Sequence, residues 1–503
     1  MFNLKKIFSL ILLSIFISFI SCSPIINQTL STPPLLLLIS FDGFRWDYPD
    51  LYNLTNFNLL MKRGVRVKYI KNAFATVTFP SHYTIVTGLY EETHGIVANT
   101  IYDPQLNATA TLNTMNDTKW WSQNPYSQPI WVSNQLSNDS NQRRSGVIAW
   151  PGVSTPINGH RPSKYLPYDP ARKLDESFQQ IFDWFRESDR TRINLGVIYH
   201  NEPDETGHEY GPISNEMNKT LQDCDNYLGQ LLQIIDNDEY LKTNLNVIIT
   251  SDHGMEEIKK NHTLKLKDYI DTSLCEVYGS RSFVNIFVPI KENIERIYDN
   301  LSVISNYEVY KKSDIPNEYH YRSNVRIGDI LFVGKNGYDI YLPDDNSSIE
   351  LHGDHGYDNR AKSMHPIFYG FGPVFKENML AKPFRSVDIY PLMSYILKIK
   401  ERQTNGSFDD VKYILKDFPE ETFSDKINLF VSKIKDWGFL TVGCIIIVIL
   451  ISIVYTAVAC RYSQRSIYVQ PHYAPVRYRL LSHTEGSTNN LVASDSENEE
   501  ELQ

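Results

Sequence analysis

The sequence predicts an α/β fold, a mostly parallel sheet sandwiched by helices, with a smaller inserted subdomain and one C-terminal transmembrane helix. Three observations predict it. The runs 34–41 (PLLLLISF), 195–199 (LGVIY) and 245–250 (LNVIIT) are apolar without alternation, the pattern of strands buried on both faces of a parallel sheet. Each run ends at residues that can bind a metal: Asp42 after the first, Asp204 and His208 after the second, Asp252 and His253 after the third. Ligands of such sheets sit beyond the carboxyl ends of the strands, where these side chains fall. Finally, Trp437 to Cys460 is a hydrophobic run without a charge, long enough to span a bilayer.

The elements follow in chain order. Lys5 and Lys6 precede the apolar stretch Ile7–Ile20 and Ser21-Cys22-Ser23, the layout of a secretory signal peptide over 1–23, with an uncleaved anchor as the alternative. Residues 24–400 form the extracellular domain, with candidate helices at Leu54–Gly64, Pro80–Thr87, Arg172–Glu187 and Ile213–Asp236. Within it, 103–145, rich in Asn, Thr, Ser and Trp, reads as a surface insertion, and 256–345 as an inserted subdomain of mixed strands. Residues 401–436 form a juxtamembrane stalk, 437–460 the transmembrane helix and 461–503 a disordered cytoplasmic tail. Arg461 and Arg465 place that tail in the cytoplasm, giving a single-pass type I protein at the cell surface or in an endosomal lumen. A lipid-anchor signal is excluded because polar residues follow the hydrophobic run.

Glycosylation sequons start at Asn27, Asn53, Asn107, Asn116, Asn138, Asn218, Asn261, Asn300, Asn346 and Asn405, all between the two hydrophobic segments. Tyr478-Arg479-Leu480-Leu481 in the tail fits a sorting-adaptor signal. In an oxidising compartment Cys224 and Cys275 are expected to form a disulfide, with two buried thiols as the alternative. A net charge of −10 argues against binding a nucleic-acid polymer.

The candidate site gathers Asp42, Asp204, His208, Asp252, His253 and His355, carboxylates and imidazoles without a thiolate, a donor set that suits zinc. Asp204 and His208 stand four residues apart, so one helical turn or a tight loop could aim both at one ion. Thr78, in Val77-Thr78-Phe79-Pro80, lies where a strand end turns into a helix opening near Pro80. Such a start favours a phosphate, but a threonine hydroxyl needs a metal or base to attack.

Ser40-Phe41-Asp42-Gly43, Thr78-Phe79-Pro80-Ser81-His82-Tyr83, Thr87-Gly88-Leu89-Tyr90, His94 to Asn99, Glu202 to His208, Ser251 to Met255 and His355-Gly356-Tyr357-Asp358-Asn359 resemble the ectonucleotide pyrophosphatase/phosphodiesterase family of the alkaline phosphatase superfamily. The resemblance covers about residues 34–400 and is to the shorter, membrane-anchored members. It implies an alkaline-phosphatase-like fold and two Zn2+ ions, one on Asp204, His208 and His355, the other on Asp42, Asp252, His253 and Thr78. It implies Thr78 as nucleophile through a phosphothreonine, and Asn99 with a backbone N–H of the Thr78 helix start holding a phosphate oxygen. His352 does not fit the motif and receives no role.

The resemblance further implies that Phe79 and Tyr168 sandwich a nucleotide base, with Trp150 and Tyr199 as supporting walls. Thr100 stands where some nucleotide-acting relatives carry a lysine near the phosphates, so dinucleoside polyphosphates or simple diesters are expected to be better substrates than ATP. The expected activity is hydrolysis of nucleotide phosphodiester or pyrophosphate bonds to nucleoside monophosphates. A choline-type phospholipid or glycerophosphocholine phosphodiesterase is the alternative, and a catalytically silent surface-binding protein is the alternative of another class.

Overall fold

Seven consecutive apolar residues, Leu35–Phe41, form strand β1, buried along its whole length. In this computed structural model, which describes residues 32–137, 142–259, 262–342, 351–418 and 446–458, β1 lies inside an eight-stranded sheet. The other strands are β2 (Gly64–Val67), β3 (Ser145–Ile148), β4 (Lys164–Leu166), β5 (Leu195–His200), β6 (Leu245–Thr250), β7 (Phe368–Phe371) and β8 (Met379–Ala381). Their order is β8-β2-β7-β6-β1-β5-β3-β4. β1 pairs in parallel with β5 (Leu36 opposite Leu195) and with β6 (Leu35 opposite Leu245). β7 runs antiparallel to both of its neighbours, so the sheet is mixed.

The pleat of β1 divides the core. Leu36 and Leu38 join one apolar cluster, while Leu35, Leu37, Ile39 and Phe41 join another. Helices α1 (Thr55–Arg63), α3 (Leu174–Arg186) and α5 (Asn215–Asp236) cover the second face. Helices α2 (Thr78–Thr87) and α6 (Ile389–Leu397) cover the first, and the short α4 (Asp204–Tyr210) follows β5. Helix α5 begins two residues later than the sequence predicts. Ser214 caps it by accepting the Met217 N–H, which leaves Ile213 outside and exposed.

Strands Glu276–Gly279, Phe283–Phe287, Tyr307–Lys311 and Ile330–Gly334 form a four-stranded antiparallel sheet with its own apolar cluster, including Val284, Ile286, Ile297 and Phe332. The pair Thr263–Lys265 and Asp339–Tyr341 beside it is parallel.

Several sequence-based expectations need correction. The segment 103–145 is not a surface insertion: Trp120, Trp121 and Trp131 are buried in the core on the α2 face. Cys224 and Cys275 are free thiols, not a disulfide, because Cys224 packs in the α5 face of the main core and Cys275 in the separate core of the small sheet. Residues 401–418 do not begin a stalk: Val411, Ile414 and Leu415 are buried, and Leu415 bridges to Phe375. Among the described residues no helix is long and apolar enough to cross a membrane. Residues 446–458 are helical, and the rest of the predicted span lies outside the described residues, as do the signal peptide and the tail.

Candidate metal centre and substrate cavity

The carboxyl ends of β1, β5 and β6 deliver the predicted ligands to one place. Asp42 follows β1, its N–H donating to the His200 carbonyl at the end of β5 (2.8 Å). Asp252 and His253 occupy the turn after β6, held by the Ser251 hydroxyl, which donates to the His253 carbonyl (2.7 Å) and accepts the Phe44 N–H (2.9 Å). Asp204 and His208 share one face of α4 as their spacing predicts, with His208 Nε2 3.3 Å from Asp204 Oδ2. His355 follows the short strand Gly353–Asp354, its Nε2 3.5 Å from Asp204 Oδ1. His253 Nε2 lies 3.3 Å from Asp42 Oδ1 and 3.0 Å from Asp252 Oδ2. The two predicted ligand sets form one continuous cluster, joined where the His253 and His355 rings stack at 3.5 Å.

Each imidazole is pre-oriented. The Nδ1 atoms of His208, His253 and His355 meet the carbonyls of Gly353, Gly254 and Thr76 at 2.9, 2.9 and 3.0 Å. A carbonyl only accepts, so Nδ1 carries a proton in each ring and Nε2 is the atom that faces the carboxylates. Gly43 closes the frame. Its φ of +68° is unfavourable to other residues, and a Cβ there would lie 2.9 Å from the Asp204 Cα.

The electrostatics test whether these residues fit a cation. Asp42 Oδ1, Asp204 Oδ1, Asp252 Oδ2 and His253 Nε2 are buried with no hydrogen-bond partner, an expensive state for polar atoms. Burial, then the charges of Asp252 and Asp204, hold the Asp42 carboxyl well above the usual range. Burial opposes ionisation of Asp204 too, but the His208 and His355 imidazoles outweigh it and hold that carboxyl low. Burial likewise opposes charge on His208, yet Asp204 raises it to about 10. The field that draws a proton to His208 would draw a divalent cation as well. Donor atoms within 4.8 Å of one another form the groups Asp204–His253–His355, His208–Asp354–His355 and Asp42–His82–Asp252. The donors fit metal binding.

Thr78 opens α2, two residues before the predicted start. Pro80 is tolerated at the third position, where a backbone N–H would have no helical partner. The Phe79 N–H donates to Asn99 Oδ1 (2.9 Å), which fixes the amide's orientation and leaves its NH2 end as the donor it can offer.

Asp42, Thr78 and Asp204 also line a cavity of about 350 Å3 whose walls include Phe79, Trp150, Tyr168 and Tyr199, all four predicted aromatics. Tyr168, 47% exposed, stands at its mouth. Tyr199 donates its hydroxyl to Asp42 Oδ2 (2.6 Å), and Trp150 is buried with its ring edge-on to His82 (4.8 Å). Of the four rings Trp150 is buried, Phe79 and Tyr199 are half-buried and Tyr168 is exposed.

Sequence reasoning missed several residues here. His82, one turn after Thr78, places Nδ1 2.7 Å from the Thr78 carbonyl and Nε2 2.9 Å from the Ser40 hydroxyl. The spacing of four within the Thr78–His82 motif was the available signal. Asp354, adjacent to His355, lies 3.7 Å from His208 Nδ1. Asn201, Glu205, Met115 and Asn116 line the cavity, the last two from the segment expected to lie at the surface.

Fold and site together define an α/β protein with a buried carboxylate–imidazole cluster that fits a metal, and a helix-start hydroxyl, at the carboxyl edge of its sheet. Residues 36–358 match the family model described as type I phosphodiesterase / nucleotide pyrophosphatase. The chain belongs to this family, whose members hydrolyse phosphodiester bonds, and is an enzyme. It is 38% identical over 405 residues to ectonucleotide pyrophosphatase/phosphodiesterase family member 5 of Homo sapiens, covering 79% of this chain and 82% of that protein. It is 38% identical over 396 residues to bis(5'-adenosyl)-triphosphatase ENPP4 of Bos taurus, covering 78% and 84%. The solved murine ectonucleotide pyrophosphatase/phosphodiesterase 5 is similar with a TM-score of 0.71 and 38% identity, covering 76% of this chain and all of that one. An inactive threonine-to-alanine variant of that murine protein, solved in complex with AMP, has the same TM-score and 37% identity.

Proposed function

We propose that this chain hydrolyses nucleotide phosphodiester or pyrophosphate bonds to nucleoside monophosphates, with Thr78 as nucleophile beside two zinc ions. The observation that carries the reading is the junction of two features in one cavity: the Asp42–Asp204 edge of the metal-ligand cluster and the start of α2 at Thr78. Asp204, His208 and His355 would hold one ion, and Asp42, Asp252, His253 and Thr78 the other. When bound, zinc supplies positive charge that favours the Thr78 alkoxide and offsets charge on the transferring phosphoryl group. Thr78 Oγ1 attacks phosphorus while the bond to the leaving group breaks, and water then cleaves the phosphothreonine. Asn99, oriented by the Phe79 N–H, donates its NH2 to a phosphate oxygen. Phe79 and Tyr168 receive the base, a stacking interaction worth about 1–3 kcal/mol per base.

The AMP complex of the murine relative and the triphosphatase name of the bovine one support a nucleotide substrate, and the inactive threonine variant supports an essential threonine. Thr100 beside Asn99 supports the preference for dinucleoside polyphosphates over ATP. A second reading, cleavage of choline phosphodiesters, is favoured by one observation. Glu205 lines the cavity beside Tyr168 and Tyr199, an acid among aromatic faces suited to a quaternary ammonium.

Product analysis decides between the two. Wild-type protein is offered a diadenosine polyphosphate, ATP and glycerophosphocholine, with and without chelator. Chelator-sensitive AMP release, fastest from the dinucleotide, is the expected result; phosphocholine as sole product would replace it with the second reading. Thr78→Ala should lower turnover by at least about a thousandfold while metal content stays near that of wild type. Near-wild-type turnover would refute the mechanism.

We also propose that residues 1–23 are a signal peptide and that 437–460 anchor the chain, with the catalytic domain outside the cytosol. The charge-free run, the arginines after it and the ectonucleotide name of the human relative support this. Release of the chain from membranes by alkaline carbonate would overturn the anchor.

A further inference from the structure

One glycosylation sequon lies at the substrate cavity. Asn116-Asp117-Thr118 belongs to the loop that brings Met115 and Asn116 to the cavity wall. Asn53, Asn107, Asn218, Asn300 and Asn405, the other described sequon asparagines, do not line that cavity. The loop is held firmly. The Trp121 indole donates to the Met115 carbonyl (2.8 Å), the Asp117 carboxylate accepts the Lys119 N–H (3.1 Å), and the Thr118 hydroxyl donates to the Pro156 carbonyl (3.0 Å). Met115 is buried, Asn116 is exposed, and Leu112 and Asn113 beside it are exposed on the same rim.

We propose that Asn116 carries an N-linked oligosaccharide at the mouth of the substrate cavity, where it filters ligands by size. This rests on the nucleotide reading above and on passage of the domain through the secretory pathway. The modification joins Asn116 Nδ2 to the anomeric carbon of an oligosaccharide carried on a lipid pyrophosphate. The C–N bond forms as the sugar–phosphate bond breaks, the amide gives up one proton, and the lipid pyrophosphate leaves. Sequons are modified on the unfolded chain, so the Thr118 hydrogen bond in the fold is no obstacle, and the fold then has only to leave Asn116 outside, as it does. A branched oligosaccharide is bulkier than the cavity of about 350 Å3 and is fixed to a rigid rim. A single nucleoside monophosphate passes beneath it. A ligand with bulk beyond one nucleoside must find a narrower set of approach angles, and binds more slowly.

The test uses full-length chain from eukaryotic cells. Glycan removal by an amidase in heavy-oxygen water, followed by peptide mass spectrometry, reads whether Asn116 becomes labelled aspartate. Binding of AMP and of AMP tethered to dextran is then compared before and after the amidase, on Thr78→Ala protein so that nothing turns over. The expected result is labelled Asn116 and a rise of about tenfold in the association rate constant of tethered relative to free AMP. Asn116→Gln, which removes this glycan alone, should reproduce the rise. If that variant does not reach the cell surface, the amidase-treated protein still carries the comparison. An unlabelled Asn116 overturns the proposal, and so does a labelled one whose removal leaves the ratio unchanged. Failure of both ligands to bind, with Asn116 labelled, overturns the nucleotide reading and the size filter with it, while leaving the modification standing.

Discussion

Single residues in this site are constrained by their neighbours more than by their own chemistry, and Gly43 is the clearest case. It carries no functional group, yet its N–H donates to Asp252 Oδ1 (3.1 Å) and its missing side chain lets Asp204 approach. A methyl group there meets the Asp204 Cα and Cβ at 2.9 Å, and an alanine at φ +68° costs a further ~1 kcal/mol. Gly43→Ala should therefore displace Asp204 rather than unfold the protein. The expected outcome is a loss of about a hundredfold in kcat/KM, since a shift of about 1 Å in a reacting constellation costs that much. Metal should be retained more weakly under dialysis, while the far-ultraviolet dichroism stays that of wild type. Unchanged metal retention would show that Asp204 is not positioned by this contact. Asp42, Asp252 and His253 were legible in the sequence because each ends an apolar run. The role of Gly43 was not, because it depends on a helix more than 150 residues away in the chain.

At the scale of elements, β1, β5 and β6 form where their apolar runs predict, because a strand buried on both faces leaves a continuous signature. The short helix Glu91–His94 left no comparable periodicity, yet it holds two buried titratable groups. Burial, with Glu92 adding to it, raises Glu91 from 4.5 to about 8, and neither carboxylate oxygen has a hydrogen-bond partner. Burial, then the charge of Arg326, lowers His94 from 6.5 to about 3. The Ile96 N–H donates to His94 Nδ1 (3.1 Å), so Nε2 carries the proton and faces the Thr84 hydroxyl (3.0 Å). The signs differ. As pH rises from 4.5 toward 8 the unfolded chain loses the Glu91 proton while the folded one keeps it, so stability falls. As pH falls from 6.5 toward 3 the unfolded chain protonates His94 while the folded one does not, so stability falls again. Between 4.5 and 6.5 the two slopes cancel, and this element favours a mildly acidic medium. The Glu91 contribution amounts to something on the order of 4 kcal/mol lost by pH 8. Glu91→Gln should remove most of that alkaline decline, read as urea midpoints at pH 5.5 and pH 8; an equally steep decline in the variant would refute the assignment.

Across the large unit, the small sheet is tied to the main body through a region that composition disguises. The segment after Asn99 is polar enough to read as a surface insertion, because its Asn, Thr and Ser residues outnumber the tryptophans that anchor it. What holds the segment is Arg326, which comes from the chain between the strands of the small antiparallel sheet and is 1% exposed. Its Nε donates to Asp103 Oδ2 (2.8 Å), and its Nη1 to the carbonyls of Gly95 (2.7 Å) and Trp120 (2.8 Å). One guanidinium thereby joins the small sheet to the stretches that carry Asn99 and the cavity rim. Sequence could not pair Arg326 with Asp103, since 223 residues separate them and neither sits in a motif. Burial lowers the pKa of Arg326 and Asp103 opposes the shift, so the pair depends on both members being present. Arg326→Met should leave Asp103 Oδ2 and the carbonyls without their donor, while Asp103 Oδ1 keeps the Gln105 and Leu106 N–H groups, and cost about 3–5 kcal/mol, measured by denaturant unfolding. Replacing both members, Arg326→Met with Asp103→Leu, should restore part of that loss, because the uncompensated charge goes too. The carbonyls of Gly95 and Trp120 still lack their donor and the Gln105 and Leu106 N–H groups lose their acceptor, so the double variant should remain below wild type, with Asn99 less well placed and kcat reduced. Full stability in Arg326→Met alone would mean that the segment is held by its buried tryptophans, and that the guanidinium merely occupies the space between them.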